Sequence, residues 1–372
     1  MKIENFKVEQ WMNEYEDNAP FNIAETCVDS VSLNELFEIT GADRESFLSE
    51  FCSRRLTYGD ITGLPEFKEG IAALYKEIKP EDIVVTHGAA GANHHVFYTL
   101  INPGDSVISL TPTYQQLYSI PESFGAEVIT LPLREEDSFL PDLEKLRELA
   151  QGAKLICLNN PNNPTGALIP LDMLEKIVEI ARESGSWLLC DETYRHLTQE
   201  DSWSASAADL YEKGISVSSM SKVFSLAGLR LGWIACRDSS FIEDCLNHRD
   251  YNHISCGMFD EAVASLALSN AGKLLERNRG IVRENLSVLD SWMARQKHLR
   301  YVKPAAGTTA LIFYDVDMPS YELCIDMYNS TGAFVTPGAC FELERCFRIG
   351  YACSREVLLE GLEAAENYFS RF

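Results

Sequence analysis

The chain has 372 residues, 46% hydrophobic and 10% aromatic, enough to bury one large core and a second, smaller one. Its 56 acidic residues against 32 basic ones give a formal charge of −24, which argues against a surface built for nucleic acid or an anionic membrane, because both need clustered Lys and Arg. The acidic residues are spread over predicted helix faces such as "LEKLRELA" and "LLEGLEAAENYF", as expected of a solvated exterior.

At the N-terminus, "MKIENFKVEQWMNEYED" carries acidic residues where a signal peptide has an apolar core, and no later run reaches membrane-spanning length, so a cytoplasmic protein is expected. The eleven cysteines are odd in number and scattered, without a C-x-x-C, and several fall in apolar runs such as "LICL", "WLLC" and "GWIAC". Reduced, buried thiols are expected, with no disulfide and no metal site.

Next come short β-branched runs, "DIVVT", "DSVISL", "AEVITL", "AKLICL", "SWLLCDE" and "GISVSSM". Helically spaced segments such as "PEFKEGIAALYKEI" and "PLDMLEKIVEIARESG" alternate with them. The pattern predicts an α/β fold whose large domain has a mostly parallel central sheet covered by helices. From about residue 257 a long helical pattern leads into "TTALIFYDV", "GAFVTPG" and "CFRIGYA", then a closing amphipathic helix at "REVLLEGLEAAENYFSR". The expected division is an N-terminal segment, 1–45, that joins a small α+β domain, 281–372, and a large domain, 46–280.

Four stretches at predicted strand ends bear chemistry. In "VVTHGAAGANHH", the small residues Ala89, Ala90 and Gly91 open a predicted helix, whose free N-terminal amides can hold an anion, although small residues there also allow close packing. His94 and His95 are adjacent on that helix and point in different directions, so they cannot chelate together. In "NNPNNPTGA", turn chemistry follows a strand, and Asn163 can offer its side-chain amide to a ligand. In "LLCDETYRHL", Asp191 ends a buried strand, where a carboxylate needs a partner, and Tyr194 follows three residues on. In "SVSSMSKVFSLAGLRLGW", Ser219, Ser221 and Lys222 follow a β-branched run, with Arg230 eight residues beyond the lysine.

Together these stretches resemble the pyridoxal-phosphate-dependent enzymes of the aspartate aminotransferase fold, the class I/II aminotransferases. The likeness extends from Tyr58 to Arg348 in "FRIGYA". It implies that Lys222 forms the Schiff base with pyridoxal 5'-phosphate and that Asp191 pairs with the cofactor's ring nitrogen. Asn163 and Tyr194 are then expected at the ring's phenolic oxygen, with Tyr114 of "TPTYQQLY" stacked on the ring. The phosphate would be held by Ala89, Ala90, Gly91, Ser219, Ser221 and Arg230, and the substrate α-carboxylate by Arg348 together with Asn163. Neighbouring Arg345 is expected to face solvent. Cationic neighbours and burial are expected to depress the Lys222 ammonium. Tyr58 in "YGDITGLPEFKEGIA" resembles a family tyrosine that reaches the partner subunit's phosphate, which implies a homodimer; Lys68 stands where the family pattern has Arg.

The implied activity is amino-group transfer between an amino acid and a 2-oxo acid. The stretch "FNIAETCVDSVSLNEL" replaces a glycine-containing loop of many members and looks like the capreomycidine synthase-like branch, which leaves β-elimination, β-replacement or cyclisation open. Glu25 in this stretch either lines the pocket, favouring a basic or polar substrate side chain, or sits on the surface. A binding-only module, such as the effector part of a transcription regulator, would need a DNA-binding domain, for which this chain has neither a basic segment nor room. A non-catalytic relic would most simply have lost Lys222.

Overall fold

The computed structural model describes residues 2–199 and 204–372. In chain order its strands are β1 (Phe21–Asn22), β2 (Ile83–Thr86), β3 (Ser106–Thr111), β4 (Glu127–Pro132), β5 (Leu155–Asn159), β6 (Trp187–Asp191) and β7 (Gly214–Ser219). They continue with β8 (Gly232–Cys236), β9 (Leu299–Tyr301), β10 (Thr309–Tyr314), β11 (Ala333–Phe334), β12 (Thr336–Pro337) and β13 (Cys346–Gly350).

The large sheet has the order β2-β8-β7-β6-β5-β3-β4. Its members from β7 to β4 run parallel, and β8 is antiparallel to both neighbours. Every residue of β5, β7 and β8 is buried. That is why β5 and β8 read as near-continuous apolar runs, since helices cover both faces of the sheet, while β7 buries three serines among its apolar residues.

Register then gathers the chemistry. Asn159 pairs with Asp191 across β5 and β6, Ser219 pairs with Gly232, and Gly232 pairs with Thr86. The segments singled out by sequence therefore leave the sheet along one edge, where open α/β sheets bind ligands.

The smaller sheet, β12-β13-β10-β9, is antiparallel, and β1 pairs in parallel with β11. Val8, Trp11 and Ile23 share one buried apolar cluster with Phe334, Ile349, Leu362 and Tyr368, so the N-terminal segment packs with the C-terminal part. Gly350 is required for this: a Cβ there would overlap the Glu25 carbonyl, which lies directly on β13.

One predicted helix is shorter than its pattern. "PEFKEGIAALYKEI" is helical only over Pro65–Ala72. Beyond it, Leu74 and Tyr75 make tighter i→i−3 bonds, and the amides of Lys76 and Glu77 donate to the Asp209 carboxylate at 3.0 and 2.9 Å. An acceptor distant in sequence ends the helix, with Pro80 close behind. All eleven cysteines are free, and no described helix is long and apolar enough to cross a membrane.

Candidate active site

A cavity of about 280 Å³ opens at the sheet edge between the two parts of the fold. Of the residues expected from sequence it gathers Ala89, Ala90, Tyr114, Asn163, Asp191, Tyr194, Ser219, Ser221, Lys222, Arg230, Arg348 and Glu25. Gly91 and Tyr58 do not line it.

The helix Gly88–Leu100 explains the place of Gly91. Gly88, at φ 71°, is already its first residue, so the unbonded amides are those up to Ala90, and Gly91 begins the internal ladder. The anion cradle thus lies one residue earlier than the sequence suggested. Gly232 makes room for it, since a Cβ there would overlap the Gly88 carbonyl carbon. Arg230 has its guanidinium against Gly88 and holds a left-handed backbone at φ 53°, an unusual conformation for a non-glycine residue. Amides and guanidinium converge as a phosphate would require.

Asp191 is buried, and burial pushes its carboxyl up despite hydrogen bonds from Thr193 and Asn93 that favour the charged form. The Thr193 amide donates to Oδ1 at 3.0 Å and Asn93 Nδ2 to Oδ2 at 2.8 Å. Among the described residues no ion pair reaches it. A buried carboxylate aimed into a cavity without a cation fits a protonated pyridine nitrogen.

Lys222 sits opposite. Its Nζ donates to Cys27 Sγ at 3.3 Å and lies 3.6 Å from Glu25 Oε1. Burial would lower its ammonium pKa, but Cys27, Tyr194 and Glu25 outweigh burial and raise it. This corrects the sequence expectation of a depressed ammonium: the nearest groups are acidic, not cationic. Glu25 answers in kind: burial pushes its carboxyl up, yet Lys222 and the amides of Cys27 and Thr26 hold it at about 2. Both amides donate to Oε1 at 2.8 Å.

Arg348, on β13, is buried. Its guanidinium donates to Asn163 Oδ1 at 3.2 Å and to Ala24 O and Thr336 Oγ1 at 3.0 Å each, while its Nε is buried without a partner among the described residues. A buried guanidinium with a free donor on the cavity wall suits a carboxylate. Tyr194 is also buried; burial raises its phenol, against Lys222, Thr26 and Arg348. Tyr114 donates its hydroxyl to Glu9 at 2.9 Å.

Several lining residues escaped sequence reading: Glu9, Met12, Glu16, Ala24, Thr26, Asn93 and Thr193. Asn93 was accessible in principle, because it stands four residues after Ala89 and so on the same helix face. Glu9, Met12 and Glu16 follow the same spacing on and just beyond the N-terminal helix Lys7–Tyr15, but nothing local shows that this helix crosses the cavity. Among residues expected elsewhere, Arg345 is exposed and pairs with Asp317. His94 is exposed, whereas buried His95 bonds the Cys245 carbonyl at 2.7 Å. Tyr58 is 69% exposed.

Comparison with known proteins identifies the family. The family model described as "Aminotransferase class I and II" matches residues 38–364. Capreomycidine synthase of Streptomyces vinaceus is 28% identical over 362 residues, covering 96% of this chain and 92% of that protein. The aspartate/prephenate aminotransferase of Thermus thermophilus is 28% identical over 325 residues, 82% of this chain and 81% of its own. A crystal structure of a PLP-dependent aminotransferase from Streptococcus suis 89-1591 superposes with a TM-score of 0.97 at 44% identity, covering 100% of this chain and 99% of that one. The chain belongs to the class I and II aminotransferases and is a pyridoxal-phosphate-dependent enzyme.

Proposed function

We propose that the protein moves an amino group between an amino acid and a 2-oxo acid, as a homodimer. The observation that carries this reading is the convergence on one cavity of Lys222, an Asp191 carboxylate and an Arg348 Nε, the last two with no cation and no partner, respectively, among the described residues. When bound, the cofactor supplies an electron-withdrawing pyridinium that weakens the bonds at the substrate Cα.

The protein's own groups do the rest. Asp191 would pair with the ring nitrogen, and Asn163 and Tyr194 would hydrogen-bond the ring oxygen. Tyr114 would pack on the ring, while Ala89, Ala90, Ser219, Ser221 and Arg230 would hold the phosphate. Lys222 is the nucleophile and then the base that carries a proton from Cα. Arg348 grips the α-carboxylate and turns the labile Cα bond toward Lys222. Tyr58, exposed and outside its own cavity, reaches the phosphate of the other subunit.

The likeness to capreomycidine synthase over 96% of the chain supports a second reading, cyclisation or β-elimination and replacement, which shares the Cα deprotonation. The test is a single turnover of the holoenzyme with one amino acid at a time and no 2-oxo acid. Amino transfer releases one equivalent of 2-oxo acid per site, without ammonia, and then stops until a 2-oxo acid is added. Continuous turnover with loss of a β-substituent or ring closure would replace the first reading with the second.

A further inference from the structure

We propose that the cavity selects amino acids whose side chain ends in a positive charge, read by Glu9, Glu16 and Glu25; this rests on the reading of the site given above.

The first argument is a charge balance over the cavity wall. Its charged groups are Lys222, Arg230 and Arg348 on one side and Glu9, Glu16, Glu25 and Asp191 on the other. On the proposed reading Arg230 would take the cofactor phosphate, Asp191 the ring nitrogen and Arg348 the substrate carboxylate. Lys222 has to shed its charge to act as a nucleophile. Three glutamates are then left with no cation on the cavity wall, two of them, Glu16 and Glu25, half-buried and the third, Glu9, exposed.

The second argument is placement. The Nε of Arg348, a residue only 3% exposed, has no partner among the described residues and suits a carboxylate ligand. Arg348 also donates to the carbonyl of Ala24, the residue next to Glu25, so a substrate held at Arg348 lies beside Glu25. Asn22 binds this corner together. Its Nδ2 donates to Glu16 Oε1 at 3.2 Å, and its Oδ1 accepts from the amides of Ala24 and Glu25. Burial, and next to it the charge of Glu25, raise the Glu16 carboxyl, as expected of two carboxylates sharing one corner. Glu9 is held from the cofactor side by Tyr114. Between Glu9 and Glu16 lies Met12, an adaptable apolar surface for an aliphatic stem. Methylenes leading to an ammonium or guanidinium match that wall.

The test is equilibrium binding by calorimetry, with turnover alongside, on the holoenzyme and a matched panel: arginine against citrulline, ornithine against norvaline, and glutamate and phenylalanine. The expected result is at least a tenfold preference for each cationic member over its neutral match. In the Glu16→Gln, Glu25→Gln double variant that preference falls at least tenfold. The single variant Glu16→Gln, which keeps an acceptor for Asn22, is expected to show part of the same loss if the double variant folds poorly. Equal binding of arginine and citrulline, or preference for glutamate or phenylalanine, overturns the proposal while leaving amino transfer intact. If no amino acid binds or is converted, the reading of the site fails with it.

Discussion

Asn93 Nδ2 donates to Asp191 Oδ2 at 2.8 Å, which ties the anion-cradling helix to the buried carboxylate at the end of β6. One side chain thus couples the two ends of the proposed cofactor site, the one assigned to the phosphate and the one assigned to the ring nitrogen. Replacing it, Asn93→Ala, removes a donor to a charged acceptor, an interaction worth about 1.5–3 kcal/mol. Cofactor affinity is expected to fall roughly tenfold to a hundredfold, read by titration of the cofactor-free protein. An unchanged affinity would show that Thr193 alone positions Asp191.

Lys222→Ala is expected to abolish covalent attachment of the cofactor, assayed by borohydride reduction and mass spectrometry. Turnover should fall by about two to four orders of magnitude, the usual contribution of a positioned base. Retained turnover would remove Lys222 from the mechanism.

Arg348→Lys keeps the charge but loses the planar fork. Truncating one partner of a buried charged contact costs roughly 2–5 kcal/mol, so KM for the amino acid should rise about 30-fold or more. Cofactor affinity should change little, because Arg348 is proposed to contact substrate alone. A fall in cofactor binding with KM unchanged would contradict that assignment.

Glu261 yields a pH prediction. It is buried; its Oε2 accepts from the Leu64 amide at 2.9 Å, whereas Oε1 has no partner among the described residues. Burial raises its carboxyl from 4.5 to about 7. Because the folded value lies above the unfolded one, the stability linked to this group is fully present below about pH 4.5 and is lost as the pH rises through about 7. Glu261→Gln should therefore match the parent near pH 4.5 and exceed it by roughly 2–3 kcal/mol at pH 8, measured by denaturant unfolding. A constant difference across this range would refute the shift.

For Tyr58, sedimentation should give twice the 41.8 kDa chain mass, and Tyr58→Phe should weaken cofactor binding by about tenfold or less, the range of one hydrogen bond. A monomer with full cofactor affinity would rule out a shared site.

Much of this protein is legible along the chain because its elements are stabilised locally. β-branched runs alternating with helical spacing predict the covered, mostly parallel sheet, and Asn163, Asp191, Lys222 and Arg230 sit at strand ends where turn chemistry makes them visible. Helix ends were less legible: Pro65–Ala72 stops where Asp209, 132 or more residues away, takes the next amides.

The electrostatics of the cavity lie at the far end of that scale. Sequence could pair Lys222 with a cofactor but expected cationic neighbours. Folding brings it Cys27 and Glu25 from the N-terminal segment, through the pairing of β1 with β11 and the close approach of Glu25 to Gly350. Glu9 and Glu16 join for the same reason: the helix Lys7–Tyr15 packs Val8 and Trp11 into the C-terminal core, which sets Glu9 on it and Glu16 just beyond it along the cavity. The sequence by itself determined the fold class, through short-range periodicity, and implied the cofactor through a family resemblance carried by short motifs at strand ends. Which charges face the substrate was decided only by tertiary structure, since that depends on contacts between residues more than 300 positions apart, such as Arg348 with Ala24.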